Sequence, residues 1–240
     1  MFKSKKILSF IGARAGSKGL KNKNIIDLAG KPLVGWTIDA SLGSKYIDRT
    51  IVSTDGEEIA RFAKASGADV PFLRPKELAD DESLLDGAIQ HGVQWLREHE
   101  QTVYDYLLLL QPTSPLRTSA HIDAAIEYFF EHVRSDRDML ISVTPAPMKT
   151  GWLMHQNAAG YVQFSLDFTR GKHRRQEMPQ MYFPNGFIYF GPVGIMERIG
   201  SVTEMMIPYV TSKDISVDVD SLDDLKEAEA LIQGRRRANQ

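Results

Sequence analysis

The sequence contains no cysteine, and this absence excludes disulfide bonds, thiolate zinc sites and cysteine nucleophiles together. Its six histidines are scattered singly, without the H-x-x-x-H or H-E-x-x-H spacing that is typical of histidine metal sites. The sequence also lacks an excess of charge of either sign, because its formal net charge is only −2. Nucleic-acid-binding proteins usually carry a basic excess, so we expect no nucleic-acid partner.

Long apolar runs are absent too, since none approaches the ~20 residues that a membrane-spanning helix needs. Lysines precede the apolar residues 7–11, as in a secretory signal, but this apolar run is too short and leads directly into Gly12 and Arg14. We therefore expect a cytoplasmic protein with no membrane partner. A composition of 42% hydrophobic and 25% charged residues is that of an ordinary soluble protein and predicts one domain over residues 1–240.

The most distinctive stretch is a basic, glycine-rich loop at residues 12–24. It follows residues 7–11, whose apolar pattern predicts a buried first strand. Glycines let the backbone approach a ligand closely, and the loop carries the cations Arg14, Lys18, Lys21 and Lys23. Such a loop after a parallel strand is typical of a phosphate-binding site. Its spacing matches neither the Walker loop nor the dinucleotide fingerprint, and a solvated surface loop is the alternative.

Apolar runs and helical periodicities alternate along most of the chain. Strands are predicted at residues 7–11, 50–53, 70–73, 106–110, 139–143, 187–190 and 215–220. Helices are predicted at residues 33–41, 57–66, 83–97 and 121–133, near residue 196 and after residue 221. This alternation predicts an α/β fold with a doubly wound, mostly parallel sheet. Ser221 and Asp224 predict a capping box at the start of the last helix.

The alternation breaks after Pro145. Residues 148–190 lack a long helical pattern, which predicts an inserted β-rich subdomain or an arm that packs on a second subunit. Lys149 and Arg175 of this region could neutralise a substrate carboxylate or simply face solvent. At the other end of the chain, residues 234–240 are predicted to form a flexible, solvated tail.

Two aspartates, Asp218 and Asp220, lie two residues apart in the last predicted strand. Residues at this spacing share one face of a strand, which leaves Val217 and Val219 free to pack inward. Two carboxylates that point the same way suit a Mg²⁺ ion that also contacts substrate phosphates. Solvent-facing aspartates that precede a helix are the alternative. Together with the basic loop, the pair predicts phosphoryl or nucleotidyl transfer.

A second loop, QPTSPLR at residues 111–117, follows the most apolar strand and is expected at the same edge of the sheet. Gln111 can donate and accept hydrogen bonds, which suits recognition of a base or a sugar, although such a loop can also be only a rigid connector. Asp55 and Arg74 follow other predicted strands and add polar groups to this edge. The PNG stretch at residues 184–186 is consistent with a simple turn.

Seven ordered motifs carry a resemblance to a known enzyme family. They are ARAGSKGLKNKN (13–24), AGKPLVGWTIDA (29–40), IVSTDGEEIA (51–60), LRPKELADD (73–81), LLQPTSPLRTSAHI (109–122), PNGFIYF (184–190) and SVDVDSLDDL (216–225). The chain resembles bacterial CMP-N-acetylneuraminate (CMP-sialic acid) synthetases and their relatives that act on other nonulosonic acids. The resemblance covers nearly the whole chain. It implies that CTP and a nonulosonic acid react to give the CMP-sugar and pyrophosphate.

The same resemblance implies a Rossmann-like cytidylyltransferase fold and a homodimer, in which residues 149–184 mediate dimerisation and reach the neighbouring subunit's sugar site. It implies CTP-binding roles for Arg14, Ser17, Lys18, Lys23, Asn24 and Arg74, and sugar-binding roles for Gln111, Lys149, Arg175, Asn185 and Tyr189. Asp218 and Asp220 would bind Mg²⁺, or Mn²⁺ in its place. Arg14, Lys23, Asp218 and Asp220 would be the catalytic residues, with Asp218 helping to deprotonate the anomeric hydroxyl of the sugar.

One position departs from the family pattern. Sialic acid enzymes of the family can carry an arginine directly before the PNG motif, whereas this chain has Phe183 there, after Tyr182. The more apolar wall favours a less hydroxylated, deoxy sugar such as legionaminic or pseudaminic acid. The alternatives are an enzyme similar to CMP-Kdo synthetase and a non-catalytic CTP-binding protein on the same fold. The QPTSPLR loop and the long insertion favour the nonulosonic acid enzymes.

Overall fold

A computed structural model of the chain describes residues 2–16, 19–80, 85–166, 178–202 and 205–238. The strands are β1 (Ile7–Gly12), β2 (Asp27–Leu28), β3 (Lys31–Pro32), β4 (Arg49–Ser53), β5 (Tyr106–Leu110), β6 (Met139–Pro145), β7 (Met154–Gln156), β8 (Val162–Phe164), β9 (Tyr182–Pro192) and β10 (Met206–Val210). The helices are α1 (Leu33–Leu42), α2 (Glu57–Ala65), α3 (Leu85–Glu100), α4 (Ser119–His132), α5 (Val193–Met196) and α6 (Leu222–Ala238).

A six-stranded sheet forms the centre of the fold, in the order β10-β6-β9-β5-β1-β4. The pairs β1–β4, β1–β5 and β6–β10 are parallel, whereas β9 runs antiparallel to both of its neighbours, β5 and β6. The predicted mostly parallel sheet is therefore confirmed. Because β1 and β5 run side by side in one direction, the loops that follow them begin at the same edge of the sheet.

Alternating side chains of β1 show how both faces of the sheet are covered. Ile7 and Ile11 pack on the face covered by α1, α2 and α4, where Phe129 is fully buried. Leu8 and Phe10 pack on the opposite face against α3 and α5. Helices on both faces confirm the doubly wound arrangement, in which a central strand is apolar on both sides. No described helix is long and apolar enough to cross a bilayer.

Two predicted strands are wrong. Residues 70–73 form no strand, and this region joins the sheet only through one bridge, between Ile51 and Asp69. Residues 215–220 also lie outside every described strand. Val217 and Val219 are nevertheless buried, because they pack with α6 and not within a ladder of strands. Alternating burial is thus preserved without strand pairing.

The last helix is anchored at both ends. At its start, Ser221 N and Asp224 N donate to each other's side chains, over 2.7 and 3.3 Å, so the predicted capping box is confirmed. At its other end the helix continues to Ala238. Arg235 there donates to the carbonyl oxygens of Leu116 (3.1 Å) and Asp214 (3.4 Å). The described part of the predicted flexible tail is therefore helical and in contact with the domain.

The inserted region contains a short 3-10 helix turn at Met148–Trp152 and a two-stranded antiparallel sheet of β7 and β8. Its side chains are unusually apolar for their exposure: Leu153 is 53%, Met154 51%, Tyr161 73% and Val162 67% exposed. Residues 167–177 of the insertion lie outside the described residues. The described part agrees with the predicted β-rich character of the segment.

Candidate active site

A cleft of about 560 Å³ opens where β1 and β5 end. Its floor includes Gly12, the last residue of β1, and Leu110, the last residue of β5. The other lining residues come from β5, from the two predicted loops, from α3 and from the segment before α6: Leu109, Arg14, Gly19, Lys23, Asn24, Gln111, Pro112, Thr113, Leu85, Asp218 and Asp220. Six of the predicted site residues therefore share one cavity.

The glycine-rich loop is held in place by contacts within itself and with neighbouring segments. Asn24, which is buried, donates from Nδ2 to the carbonyl oxygen of Arg14 over 2.8 Å. Arg14 in turn donates from Nη1 to the carbonyl oxygen of Asp80 over 2.7 Å. At Gly19 a Cβ atom would lie 2.7 Å from the carbonyl oxygen of Asp220, so only glycine permits this approach. The loop thereby reaches the aspartate segment.

One backbone hydrogen bond attaches the aspartate segment to the edge of the sheet. Val219 N donates to the carbonyl oxygen of Thr113 over 2.8 Å. With Val217 and Val219 buried below, Asp218 and Asp220 line the cleft above. The predicted common orientation of the two carboxylates is thus present on a segment that is not a strand. The same segment lies against the QPTSPLR loop, which explains why both line one cavity.

Electrostatic interactions within the cleft couple its acidic and basic groups. Lys23 Nζ lies 2.8 Å from Asp220 Oδ1. Partial burial raises the pKa of Asp218 above its ordinary value, a hydrogen bond from Thr113 opposes this rise, and the negative charge of Asp220 adds to it. The two carboxylates therefore influence each other, and a bound cation would relieve their repulsion.

Gln111 is fixed from two directions. Its carbonyl oxygen accepts hydrogen bonds from Arg117 Nη2 (2.7 Å) and Thr37 Oγ1 (3.4 Å). Its side-chain oxygen lies against Gly186, where any side chain would collide with it and where φ is +69°. Only glycine fits both conditions. The main chain of Gln111 is thus fixed by hydrogen bonds, and its side chain lines the cleft in the space that Gly186 leaves open.

Tyr189 and Asn185 lie on β9, which passes beside the cleft. Tyr189 pairs with Leu109 of β5, and burial together with the charge of Asp218 raises the pKa of its hydroxyl. Asn185 is buried and donates from Nδ2 to Thr211 Oγ1 over 2.6 Å. It also donates to Ser216 Oγ over 3.3 Å. Asn185 therefore ties β9 to the segment that leads to Asp218.

Arg74 lies behind the floor of the cleft. It is 6% exposed and donates to Ser53 through Nε (3.0 Å) and Nη2 (2.5 Å). Burial lowers its pKa to about 10, with Asp55 opposing this effect and Arg14 adding to it. The guanidinium is therefore charged at neutral pH. A Cβ atom at Gly12 would lie 3.5 Å from Arg74 Nη2, so the positive charge of Arg74 lies directly under the start of the glycine-rich loop.

Of the predicted site residues not yet placed, only Lys149 belongs to the described ranges. Lys149 is exposed on the turn Met148–Trp152 and does not line the cleft. Ser17, Lys18 and Arg175 lie outside the described residues. Within the described ranges there is also no group of three or more histidine, aspartate or glutamate side chains that could hold a metal ion. A cation in the cleft would therefore rely on two carboxylates and on substrate oxygens.

Two contributors to the site were not singled out by sequence reasoning, Thr113 and Arg117. Thr113 accepts the backbone hydrogen bond of the aspartate segment, and Arg117 donates to the carbonyl oxygen of Gln111. Thr113 and Arg117 belong to the QPTSPLR loop, which was singled out as a whole. Which of its side chains point inward depends on contacts with distant residues, so the loop sequence alone did not separate them.

The family described as Cytidylyltransferase matches residues 8–236. The chain belongs to the cytidylyltransferase family. This cytidylyltransferase is 35% identical over 237 residues to the CMP-N,N'-diacetyllegionaminic acid synthase of Legionella pneumophila, with 97% of this chain and 99% of the relative covered. It is 31% identical over 229 residues to a pseudaminic acid cytidylyltransferase of Campylobacter jejuni, with 94% and 96% covered.

A longer relative, the N-acylneuraminate cytidylyltransferase of Escherichia coli O18:K1:H7, is 32% identical over 233 residues, which cover 97% of this chain and 53% of the relative. Among solved structures, a CMP:2-keto-3-deoxy-manno-octonic acid synthetase complexed with CTP superposes with a TM-score of 0.69 at 15% identity, covering 96% of this chain and 99% of the other. These matches confirm the predicted family, the predicted Rossmann-like cytidylyltransferase fold and the prediction of a nucleotidyltransferase.

Proposed function

We propose that this cytidylyltransferase transfers CMP from CTP to a nonulosonic acid in the cytoplasm and releases pyrophosphate. The observation that carries this proposal is the meeting of opposite charges in one cleft, where Lys23 of the glycine-rich loop lies 2.8 Å from Asp220. Cations suit the phosphates of CTP, and carboxylates suit a metal ion and an attacking hydroxyl. The relatives named for nonulosonic acids support the choice of acceptor.

The phosphates of CTP are proposed to bind along the glycine-rich loop. Arg14, Lys23 and Asn24 line the cleft there, and Arg74 adds a buried positive charge beneath it. Ser17 and Lys18 are proposed to complete the phosphate site, because they lie between the described parts of the same loop. Fixed cations stabilise the charge that builds up on the leaving pyrophosphate.

Asp218 and Asp220 are proposed to hold Mg²⁺, or Mn²⁺ in its place. The donor set fits a hard cation, since Mg²⁺ is usually bound through one or two carboxylates plus substrate phosphates. Burial raises the pKa of Asp218 and the negative charge of Asp220 adds to this rise, so a cation bound between the two carboxylates would stabilise their charged forms. When bound, the ion would neutralise phosphate charge as a Lewis acid.

In the proposed reaction the anomeric hydroxyl oxygen of the acid attacks the α-phosphorus of CTP. A new oxygen–phosphorus bond forms, and the bond from the α-phosphorus to the pyrophosphate oxygen breaks. Asp218 is proposed to accept the hydroxyl proton, because its carboxylate lines the cleft in which the two substrates would meet. Holding both reactants in line supplies on the order of 7–11 kcal/mol of the barrier.

The acid is proposed to lie at the β9 side of the cleft, against Gln111 and Tyr189, with Asn185 supporting the wall from behind. Lys149 does not line the cleft of its own chain. We therefore propose that Lys149 and Arg175 of the insertion act at the sugar site of a second subunit, where they would neutralise the carboxylate of the acid.

The insertion is proposed to form the interface of a homodimer. Four apolar side chains of this hairpin region are more than half exposed: Leu153, Met154, Tyr161 and Val162. Clustered exposed apolar side chains are typical of a protein–protein contact. We expect light scattering to give twice the mass of the 27.0 kDa chain. Val162→Glu should shift the mass toward one chain, since it buries a charge in the interface. An unaltered protein that runs as a single chain at micromolar concentration would contradict the dimer.

We propose a deoxy acid of the legionaminic or pseudaminic type as the preferred acceptor. Tyr182 and Phe183 begin β9 and are 41% and 49% exposed, so their rings are available to a ligand. An aromatic wall gains little from hydroxyl groups but packs well against deoxy and methyl positions of a sugar. Relatives named for legionaminic, pseudaminic and N-acylneuraminic acids match at 35%, 31% and 32% identity, so the choice among these acids rests on Tyr182 and Phe183.

The test is pyrophosphate release from CTP and Mg²⁺ with N-acetylneuraminic, legionaminic, pseudaminic and Kdo acids in parallel. We expect kcat/KM for a legionaminic- or pseudaminic-type acid to exceed that for N-acetylneuraminic acid by at least about 10-fold, the size of one favourable contact. The Asp220→Asn variant provides the blank. Preference for N-acetylneuraminic acid would overturn the sugar assignment, and preference for Kdo would overturn the nonulosonic acid assignment.

A further inference from the structure

The QPTSPLR loop contains a buried arginine that does not line the cleft. Arg117 is 3% exposed, and burial lowers its pKa to about 9, so the guanidinium remains charged at neutral pH. A buried charge destabilises a fold unless its hydrogen-bonding groups are satisfied. In the described part of the chain no carboxylate forms an ion pair with it, and its Nε has no partner. An arginine here therefore requires an explanation other than packing.

Its remaining nitrogens join three separate elements. Nη1 donates to the carbonyl oxygen of Phe187 in β9, and the guanidinium lies 5.5 Å from the centre of the Phe187 ring. Nη2 donates to the carbonyl oxygen of Gln111 over 2.7 Å and to Thr37 Oγ1 of α1 over 2.9 Å. The planar fork of arginine makes these divergent bonds at once, whereas the single ammonium of lysine does not hold the same geometry.

Phe187 follows directly on Gly186, the residue against which the side chain of Gln111 lies. Arg117 thus holds the two sides of one contact: the main chain of Gln111 on one side and the strand that carries Gly186 on the other. The Gln111 side chain, which lines the cleft, therefore starts from a main chain that Arg117 ties to β9. Nothing in these bonds reaches the glycine-rich loop, where CTP phosphates are proposed to bind.

We propose that Arg117 is a positioning residue that acts through Gln111 on the binding of the acid and leaves the binding of CTP unchanged. This inference rests on the proposed function. A selective effect on the acid distinguishes this role from a purely structural one, because a structural arginine would affect the binding of both substrates or of neither.

The test is a double-mutant cycle of Arg117→Lys and Gln111→Ala in the full chain, with KM measured for each substrate. Each single variant should raise KM for the acid about 10-fold, the loss of roughly one aligned hydrogen bond, with KM for CTP within about 2-fold. The double variant should resemble Gln111→Ala to within about 2-fold, because the two residues act as one unit. Multiplied effects, or equal rises for both substrates, would overturn the proposal.

Two further variants keep the test decisive. Arg49→Lys is the matched control. Arg49 is the first residue of β4, at the end of the strand away from the cleft, and pairs with Asp69 over 2.7 Å. This change should lower Tm and leave KM for the acid unaltered. If Arg117→Lys does not fold, Thr37→Val replaces it in the cycle, with an expected rise of about 3-fold. An inactive unaltered protein would overturn the proposed function itself, whereas an active one with an unchanged acid KM in these variants would overturn only the role of Arg117.

Discussion

Asp220→Asn is expected to lower kcat for pyrophosphate release by at least about 100-fold, the size of effect that follows when one group that stabilises a transition state is removed. Asparagine keeps the shape of the side chain but loses the negative charge that would bind a divalent cation. The Asp220 side chain is 72% exposed, so removal of its charge should change the free energy of unfolding little. The expected result is therefore an intact, inactive protein, checked by steady-state kinetics and thermal unfolding.

Asp223→Asn is the control for this prediction. Asp223 lies three residues further on, is 91% exposed and pairs with Lys226 on the surface of α6. It undergoes the same change of charge without facing the cleft, so its kcat should stay within about 2-fold of the unaltered protein, as surface ion pairs contribute little. Near-normal turnover in Asp220→Asn would remove this residue from the proposed metal site.

Lys23→Ala is expected to have the second large effect, again at least about 100-fold in kcat/KM for CTP. Lys23 Nζ is the cation of the glycine-rich loop that the structure places beside the aspartates, and its side chain is only 17% exposed. A cation so sheltered from water stabilises phosphate charge more than an exposed one. Removing it should weaken CTP binding and slow departure of pyrophosphate.

Lys21→Ala tests whether any lysine of the glycine-rich loop contributes to CTP binding as much as Lys23 does. Lys21 is exposed and does not line the cleft, so we expect a change of at most about 3-fold, which would diminish further at high salt. Comparison of the two alanine variants at equal ionic strength separates a placed cation from general attraction. If Lys21→Ala and Lys23→Ala lose CTP affinity equally, the specific role of Lys23 is wrong.

Much of the fold was predictable because burial leaves a mark in the sequence. The apolar residues of β1 and β5 predict strands covered on both faces, and the structure has them at the centre of the sheet. The antiparallel direction of β9 was not predictable, since an apolar run reports burial and carries no information on strand direction. The PNG motif illustrates the same limit: it lies inside β9, at an irregularity in the pairing with β6, and not in a turn before the strand.

The aspartate segment shows what alternation does and does not predict. Val217 and Val219 are buried and Asp218 and Asp220 line the cleft, as their spacing indicates. Their backbone, however, makes one hydrogen bond to Thr113 and joins no ladder. Side-chain burial is a local pattern, whereas strand pairing needs a free neighbouring edge that only the whole fold supplies.

Buried arginines were the least predictable part of the site. Arginine in a loop is usually exposed, yet Arg74 and Arg117 are 6% and 3% exposed. Arg74 donates to Ser53, and Arg117 donates to the carbonyl oxygens of Gln111 and Phe187. Ser53 and Phe187 lie 21 and 70 residues away from these arginines in the sequence, so no local pattern indicates them. The motif resemblance located the loops, and only the three-dimensional contacts assign their side chains.

Transfer of the cytidylyl group is the central claim, and isotope tracing tests it most directly. CTP carrying separate labels on the α- and γ-phosphorus is incubated with Mg²⁺, the protein and a nonulosonic acid, and the products are separated. We predict that the α label moves to the acid as the CMP-sugar while an equal amount of γ label appears in pyrophosphate. An α label that remains in CTP or in free CMP, or a γ label that moves to the acid, would contradict the account.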